Sequence, residues 1–225
     1  MPAFEPEGCV SWDVVMPDRD APRYGWRPLK AKVMLETCDG EETWSVPVAV
    51  GRKLASLRKS RGGELGSRAE LAYEVHKASK VAGRRRLESL LNKRDYSSAE
   101  LKEKLASDGY SIETTDALIA AAVSGGAVND ARFADVFIRS KIYAGWGRQK
   151  IERELSRKGV EAESIPGWPE EYFEEGSELE RARELASRRR PTGKNDFQKT
   201  VRYLCNKGFS MNIAIDAAKS ALDQS

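Results

Sequence analysis

The chain has 225 residues, 38 Lys and Arg against 35 Asp and Glu, and a formal net charge of +3. With 40% apolar and 32% charged residues it is long enough to bury a core yet keeps much charged surface, which suits a soluble helical protein. It contains no run of eighteen apolar residues, so a membrane span is excluded. The first residues, Met1 to Glu5, carry an acid where a secretion signal would carry a base, so a cytoplasmic protein is expected.

Residues 1–28 are rich in Pro, Asp and Gly without steady period and are read as a loose extension in which Trp12, Tyr24 and Trp26 pack locally. Residues 29–66 hold a β-hairpin element. Lys30 to Thr37 and Thr43 to Val50 are β-branched and partly alternating, and Cys38-Asp39-Gly40 supplies a turn within a loop of about five residues. Pro47 suits an edge strand, Gly51 ends the hairpin, and Gly62-Gly63 breaks the helix that follows.

Beyond Ser67 the pattern is helical and repeats. Leu105 to Tyr110, Leu155 to Val160 and Leu204 to Phe209 share the form Leu-x3-Gly-hydrophobe, with their glycines 50 and 49 residues apart. Each glycine stands where a helix should end in a left-handed turn, with the next apolar residue folding back on it. One supersecondary unit per fixed period is the mark of a repeat array. The repeats are read as residues 67–126, 127–176 and 177–225, each with about three helices.

In the first repeat the helices are Ala82 to Lys93, Ser98 to Ser107 and Ile112 to Ser124. In the second, Asn129-Asp130 caps a helix with Phe133, Ala134, Phe137 and Ile138 inward. Gly145-Trp146-Gly147 then breaks the chain, Arg148 to Lys158 is the second helix, and 161–176 holds a short third one. In the last repeat they are Ser177 to Arg189, Asp196 to Asn206 and Met211 to Leu222.

Charge is uneven. Residues 161–180 hold eight acids and no base, and residues 181–225 ten bases and four acids. A helical wheel with the Leu of each Leu-x3-Gly inward turns Lys150, Arg153 and Arg157 outward in the middle repeat. It does the same for Lys199, Arg202 and Asn206 in the last, and for Glu100, Glu103 and Ser107 in the first. The two basic stripes suit contact with phosphates or an acidic groove, although solvated helix faces have the same composition. Arg188, Arg189 and Arg190 close a helix end, where cations complement the dipole and are also placed to bind a polyanion. The start of the helix after Gly145-Trp146-Gly147 is a further candidate for holding a phosphate.

Catalysis is not expected. His76 is the only histidine, Cys9, Cys38 and Cys205 are scattered, and no P-loop or dinucleotide fingerprint is present. No cofactor and no metal site is expected.

These blocks resemble the RecX family. Arg94-Asp95-Tyr96-Ser97-Ser98-Ala99-Glu100-Leu101 is similar to its first signature and Asn129-Asp130-Ala131-Arg132-Phe133-Ala134 to its second. Gly145, Gly147, Ile151, Glu154-Leu155 and Lys158-Gly159-Val160 continue the pattern, and Lys207-Gly208-Phe209 fits the third unit. The likeness covers residues 82–222. Residues 1–28 have no counterpart in it, and the acidic stretch 161–180 with Trp168-Pro169 is unusual.

The resemblance implies an all-α curved array of three tandem three-helix repeats with a small N-terminal β-hairpin element. It also implies a monomeric, non-enzymatic regulator in DNA repair, recombination and the SOS response. Such a protein binds the groove of RecA filaments on single-stranded DNA and inhibits ATP hydrolysis, strand exchange and co-protease action. The residues alone also allow a general helical DNA-binding module, for single strands or duplex, that acts without RecA.

Overall fold

The computed structural model describes residues 10–18, 28–37, 40–61, 64–65, 67–174, 176–190 and 193–222. The chain divides into two compact units, residues 1–95 with 100–128, and residues 96–99 with 129–225. Most of the described residues are helical, with one small antiparallel sheet near the N-terminus.

In the first unit, β1 (Val10–Val15), β2 (Lys30–Thr37), β3 (Gly40–Pro47) and the short β4 (Glu64–Leu65) form a sheet in the order β3-β2-β1-β4. The alternation read in Lys30 to Thr37 is real, since Ala31, Val33 and Leu35 are buried and the residues between them are exposed. Trp12 of β1 pairs with Leu35 and is buried as well. A strand thus lies inside the stretch expected to be loose. Its six residues were hidden by the Pro- and Asp-rich composition around them, and burial of Trp12 against β2 is what orders it. Tyr24, Trp26, Cys9, Cys38, Asp39 and Gly62-Gly63 lie outside the described residues.

Thr37 pairs with Gly40, so the hairpin loop is two residues rather than about five. β3 is an edge strand and ends at Pro47, which lacks the donor to continue a ladder. The chain turns directly into α1 (Val48–Arg61), which carries Val50 and Leu54 onto the sheet. Gly51 therefore lies within a helix instead of ending the hairpin. A Cβ there would stand 2.4 Å from the Cβ of Ala31, so glycine is what lets the helix approach the strand.

α2 runs unbroken over Arg68–Leu91, longer than the helix expected from Ala82, because Ser67 caps it through the amide of Glu70 and no proline interrupts it. α3 (Ser98–Asp108) and α4 (Ile112–Ser124) complete the first repeat, with Ser111 capping α4 at Thr114.

In the second unit, Asn129 caps α5 (Asp130–Tyr143) through the amide of Arg132, and α6 (Arg148–Arg157) follows. Phe133, Ala134, Ile138, Ile151, Leu155 and Val160 form their shared core. The third helix expected in 161–176 is only a 3-10 turn, Ala162–Ser164, followed by further turns. Pro166, Gly167 and Pro169 remove the donors and helical bias needed to extend it. This acidic stretch is nevertheless anchored, since Trp168, Tyr172 and Phe173 pack against the same core. The Tyr172 hydroxyl also donates to Asp135 at 3.0 Å.

α7 (Ser177–Ser187), α8 (Asp196–Lys207) and α9 (Met211–Leu222) make the last repeat. They close on Ala182, Ala186, Leu204, Phe209, Ala214 and Ala217.

Candidate functional site

The basic stripe of the middle repeat begins at the start of α6, and that start is fully engaged. The amide of Gly147 donates to the carbonyl of Lys207 at 2.9 Å, and that of Gln149 to Gly208 at 3.2 Å. The amide of Arg148 donates to Oε1 of Glu178, in the first turn of α7, at 2.8 Å. The expectation that this helix start holds a phosphate is therefore overturned. Its donors are taken by two carbonyls at the end of α8 and by a carboxylate already complementing the dipole.

The approach is backbone to backbone. Gly208 has φ +96°, and a Cβ on it would stand 2.2 Å from that of Lys150. A Cβ on Gly147 would stand 2.4 Å from the carbonyl of Gly208. The same construction recurs one repeat earlier. Gly159, with φ +69°, would meet the Cβ of Ala99 at 2.3 Å, and the Ser97 hydroxyl donates to the Lys158 carbonyl at 2.6 Å. Asp130, in the first turn of α5, accepts from the amide of Ser98 at 2.7 Å and from its hydroxyl at 2.5 Å. In both places the glycine turn of one repeat and a carboxylate from its first helix cap the second helix of the repeat before.

This arrangement sorts the predicted residues. Lys150 is half-buried rather than outward, its stem at Gly208 and its ammonium 4.2 Å from the centre of the Trp146 ring. Arg153 is exposed and has no hydrogen bond or ion pair among the described residues. Arg157 is exposed and pairs with Glu154 at 2.7 Å, a contact worth at most about 1 kcal/mol in water. On α8, Lys199 and Arg202 are exposed, and Arg202 has no ion pair among the described residues.

At the end of α7, Arg188 pairs with Glu184, and Arg189 lies 4.5 Å from the centre of the Tyr203 ring. The structure brings Arg189, Arg190 and Lys199 together around one shallow cleft, which Asp196, Thr200 and Leu222 also line. Arg153 and Arg157 stand apart from it on α6.

Sequence reasoning missed a row of cations threaded through aromatic rings. Lys158 lies 5.6 Å from the centre of Phe137, Lys141 lies 5.2 Å from Phe137 and 4.9 Å from Trp146, and Lys150 completes the row. The signal was present, because Phe133, Phe137 and Lys141 are spaced four apart and share one face of α5. Arg181 holds this corner from the other side, its Nη2 donating to the carbonyls of Ile142 and Trp146. Burial pushes its guanidinium pKa down, with Glu178 opposing.

No described helix is long and apolar enough to cross a membrane. The family model described as RecX, second three-helix domain, matches residues 129–165, the α5–α6 repeat. The regulatory protein RecX of Chromohalobacter salexigens is 33% identical over 126 residues, covering 53% of this chain and 80% of that one. That of Stenotrophomonas maltophilia is 34% identical over 124 residues, covering 53% and 75%. A crystal structure of RecX from Lactobacillus salivarius superposes with a TM-score of 0.55 at 22% identity, covering 65% of this chain and 98% of that one. A crystal structure of a regulatory protein RecX superposes with a TM-score of 0.56 at 16% identity over 95% of this chain and 98% of the other. The repeats, their signature blocks and these likenesses converge: the chain belongs to the RecX family.

Proposed function

We propose that the protein is a cytoplasmic, non-catalytic regulator that binds RecA filaments on single-stranded DNA and inhibits RecA ATP hydrolysis, strand exchange and co-protease action. Family membership supports the partner. The observation that carries the contact surface is the pair Arg153 and Arg202, exposed and without ion pairs among the described residues, on the second helices of successive repeats. Arg157, Lys199, Arg188, Arg189 and Arg190 extend this basic surface, while Lys150 contributes through the joint in which it packs. An unpaired exposed guanidinium keeps its five donors for phosphate or carboxylate, with no internal bond to break first.

The test is single-stranded-DNA-dependent RecA ATPase, titrated with the wild type and with Arg153→Glu/Arg157→Glu/Arg202→Glu after circular dichroism shows both folded. Inhibition by the wild type that the variant loses supports the reading and its surface. Equal inhibition by both discards the surface. No inhibition by the wild type at several-fold excess counts against the RecA reading.

A second reading, a DNA-binding module acting without RecA, is favoured by the row of Lys158, Lys141 and Lys150 among Phe137 and Trp146, since cations interleaved with rings suit single strands. It expects RecA-independent binding with a log–log salt slope of about −0.7 per phosphate contacted.

A further inference from the structure

The positive charge of the chain is concentrated in its first unit. Residues 48–91, which make α1, α2 and their connection, hold eleven bases and four acids in a chain of 38 and 35, so the remainder is net acidic. α1 carries no acid, and its Arg52, Lys53 and Lys59 are exposed without an ion pair among the described residues. Such a surplus surrounds the unit with a field that attracts a polyanion.

On α2 the surplus is ordered. Tyr73, Lys77, Lys80 and Arg84 follow one another at spacings of four, three and four, which sets them along one stripe of the helix. All four are exposed, and Tyr73 keeps 62% of its surface open with the Lys77 ammonium 5.9 Å from the centre of its ring. Lys80 has no hydrogen bond or ion pair among the described residues. Arg84 pairs with Glu88 at 3.2 Å, a solvent-exposed contact that costs little to break. Lys80 and Arg84 also line a groove of about 620 Å³ between α2 and α4, where Leu87, Leu91, Leu118 and Ala121 supply an apolar wall and Glu88 is the one acid.

We infer that this stripe and groove are a binding site for single-stranded nucleic acid, with Lys77, Lys80 and Arg84 on phosphates and bases against Tyr73 and the apolar wall. Cations beside an open ring and an apolar groove are what a strand with unpaired bases can use together. A duplex keeps its bases stacked and would meet the cations alone. An acidic peptide would suit the groove, but the surplus continues through α1, as a longer polyanion requires. The site needs neither RecA nor the lysine row beside Trp146.

The test is fluorescence anisotropy of the full chain with a labelled single strand of mixed sequence, and with the duplex it forms with its complement, across a salt series. The wild type should prefer the single strand. Lys77→Gln/Lys80→Gln/Arg84→Gln, shown folded by circular dichroism, should weaken single-strand binding about a hundredfold at roughly 0.1 M salt and flatten the log–log salt slope by about 2. Tyr73→Ala should weaken it about tenfold, and Tyr73→Phe should restore it. Lys80→Gln alone removes a side chain that bonds to nothing described, and should cost about fivefold with a slope change of about 0.7.

Unchanged affinity and slope in the triple and single variants overturn the inference, as does tighter binding of the duplex than of the single strand. Competition by polyglutamate as effective as by the single strand makes the groove a site for acidic chains, and also overturns it. Loss of binding in Lys141→Gln/Lys158→Gln with none in the α2 variants moves the strand to the row beside Trp146, which upholds the second reading above and retires this one. The RecA reading is decided apart from all of these, by the ATPase titration.

Discussion

The hydroxyl of Ser97 donates to the main-chain carbonyl of Lys158, 61 residues away, at 2.6 Å, doing with a side chain what the amide of Gly147 does for the carbonyl of Lys207. Ser97 is fully buried, so no water replaces it. Ser97→Ala leaves that carbonyl without this donor and should cost about 1–3 kcal/mol, read as a lower urea midpoint at unchanged slope. An unchanged midpoint would show that the bond is not formed in solution.

Gly208 and Gly193 both have positive φ, +96° and +81°, yet only Gly208 has backbone against it. Gly193→Ala should cost about 1 kcal/mol, the price of a left-handed alanine. Gly208→Ala adds the collision with Lys150 and should cost about 3 kcal/mol or more. Equal losses in thermal unfolding would deny the close approach at Gly208.

Lys150 and Arg153 are three residues apart on α6 and should separate in their effects. Lys150→Ala removes a stem packed at the glycine joint and a cation over Trp146, costing about 1–2 kcal/mol. Arg153→Ala, at an exposed site without a partner, should change stability by no more than about 0.5 kcal/mol and act on RecA inhibition instead. Chemical denaturation and the ATPase titration, run on both variants, decide whether stability and contact divide this way.

Tyr110 gives the first unit an alkaline limit. Burial, with help from Asp108 and against Arg86, pushes its phenol from 10.0 to about 12. The neutral form is the one favoured in the folded state. Its contribution is therefore fully present below pH 10 and lost as pH rises from about 10 to 12. Tyr110→Phe should flatten this part of the stability profile, and a profile identical to wild type between pH 9.5 and 12, about the range spanned by the shift, would contradict the assignment.

The helical repeat was legible because its signals are local. Met211 to Leu222 was bounded correctly from period alone, and Asn129 announced α5 as its cap. What stayed hidden depends on contacts between segments far apart. The wheel that turned Lys150 outward treats α6 as a rod with one buried side, but the Gly208 turn gives the helix a second neighbour at its start. The glycines of Leu-x3-Gly were read as helix terminators, and their positive φ fits that reading. Nothing within a single repeat tells that the missing Cβ also makes room for the preceding one. β1 went unseen for a related reason, because Trp12 is ordered by Leu35 across the sheet rather than by its own neighbours.

The joints have a consequence for how such a gene can change length. Gly159 and Gly208 lie 49 residues apart, and each must arrive at a helix start fixed by the preceding repeat. A single codon gained inside α5, α6, α7 or α8 rotates everything beyond it by about 100° and carries a glycine away from its seat. Codons can come and go in the connections, such as the turns after Ser164 or those before Asp196, and whole repeats can be copied with both halves of a joint intact. Growth by repeat duplication keeps the register, whereas small insertions are confined to the loops.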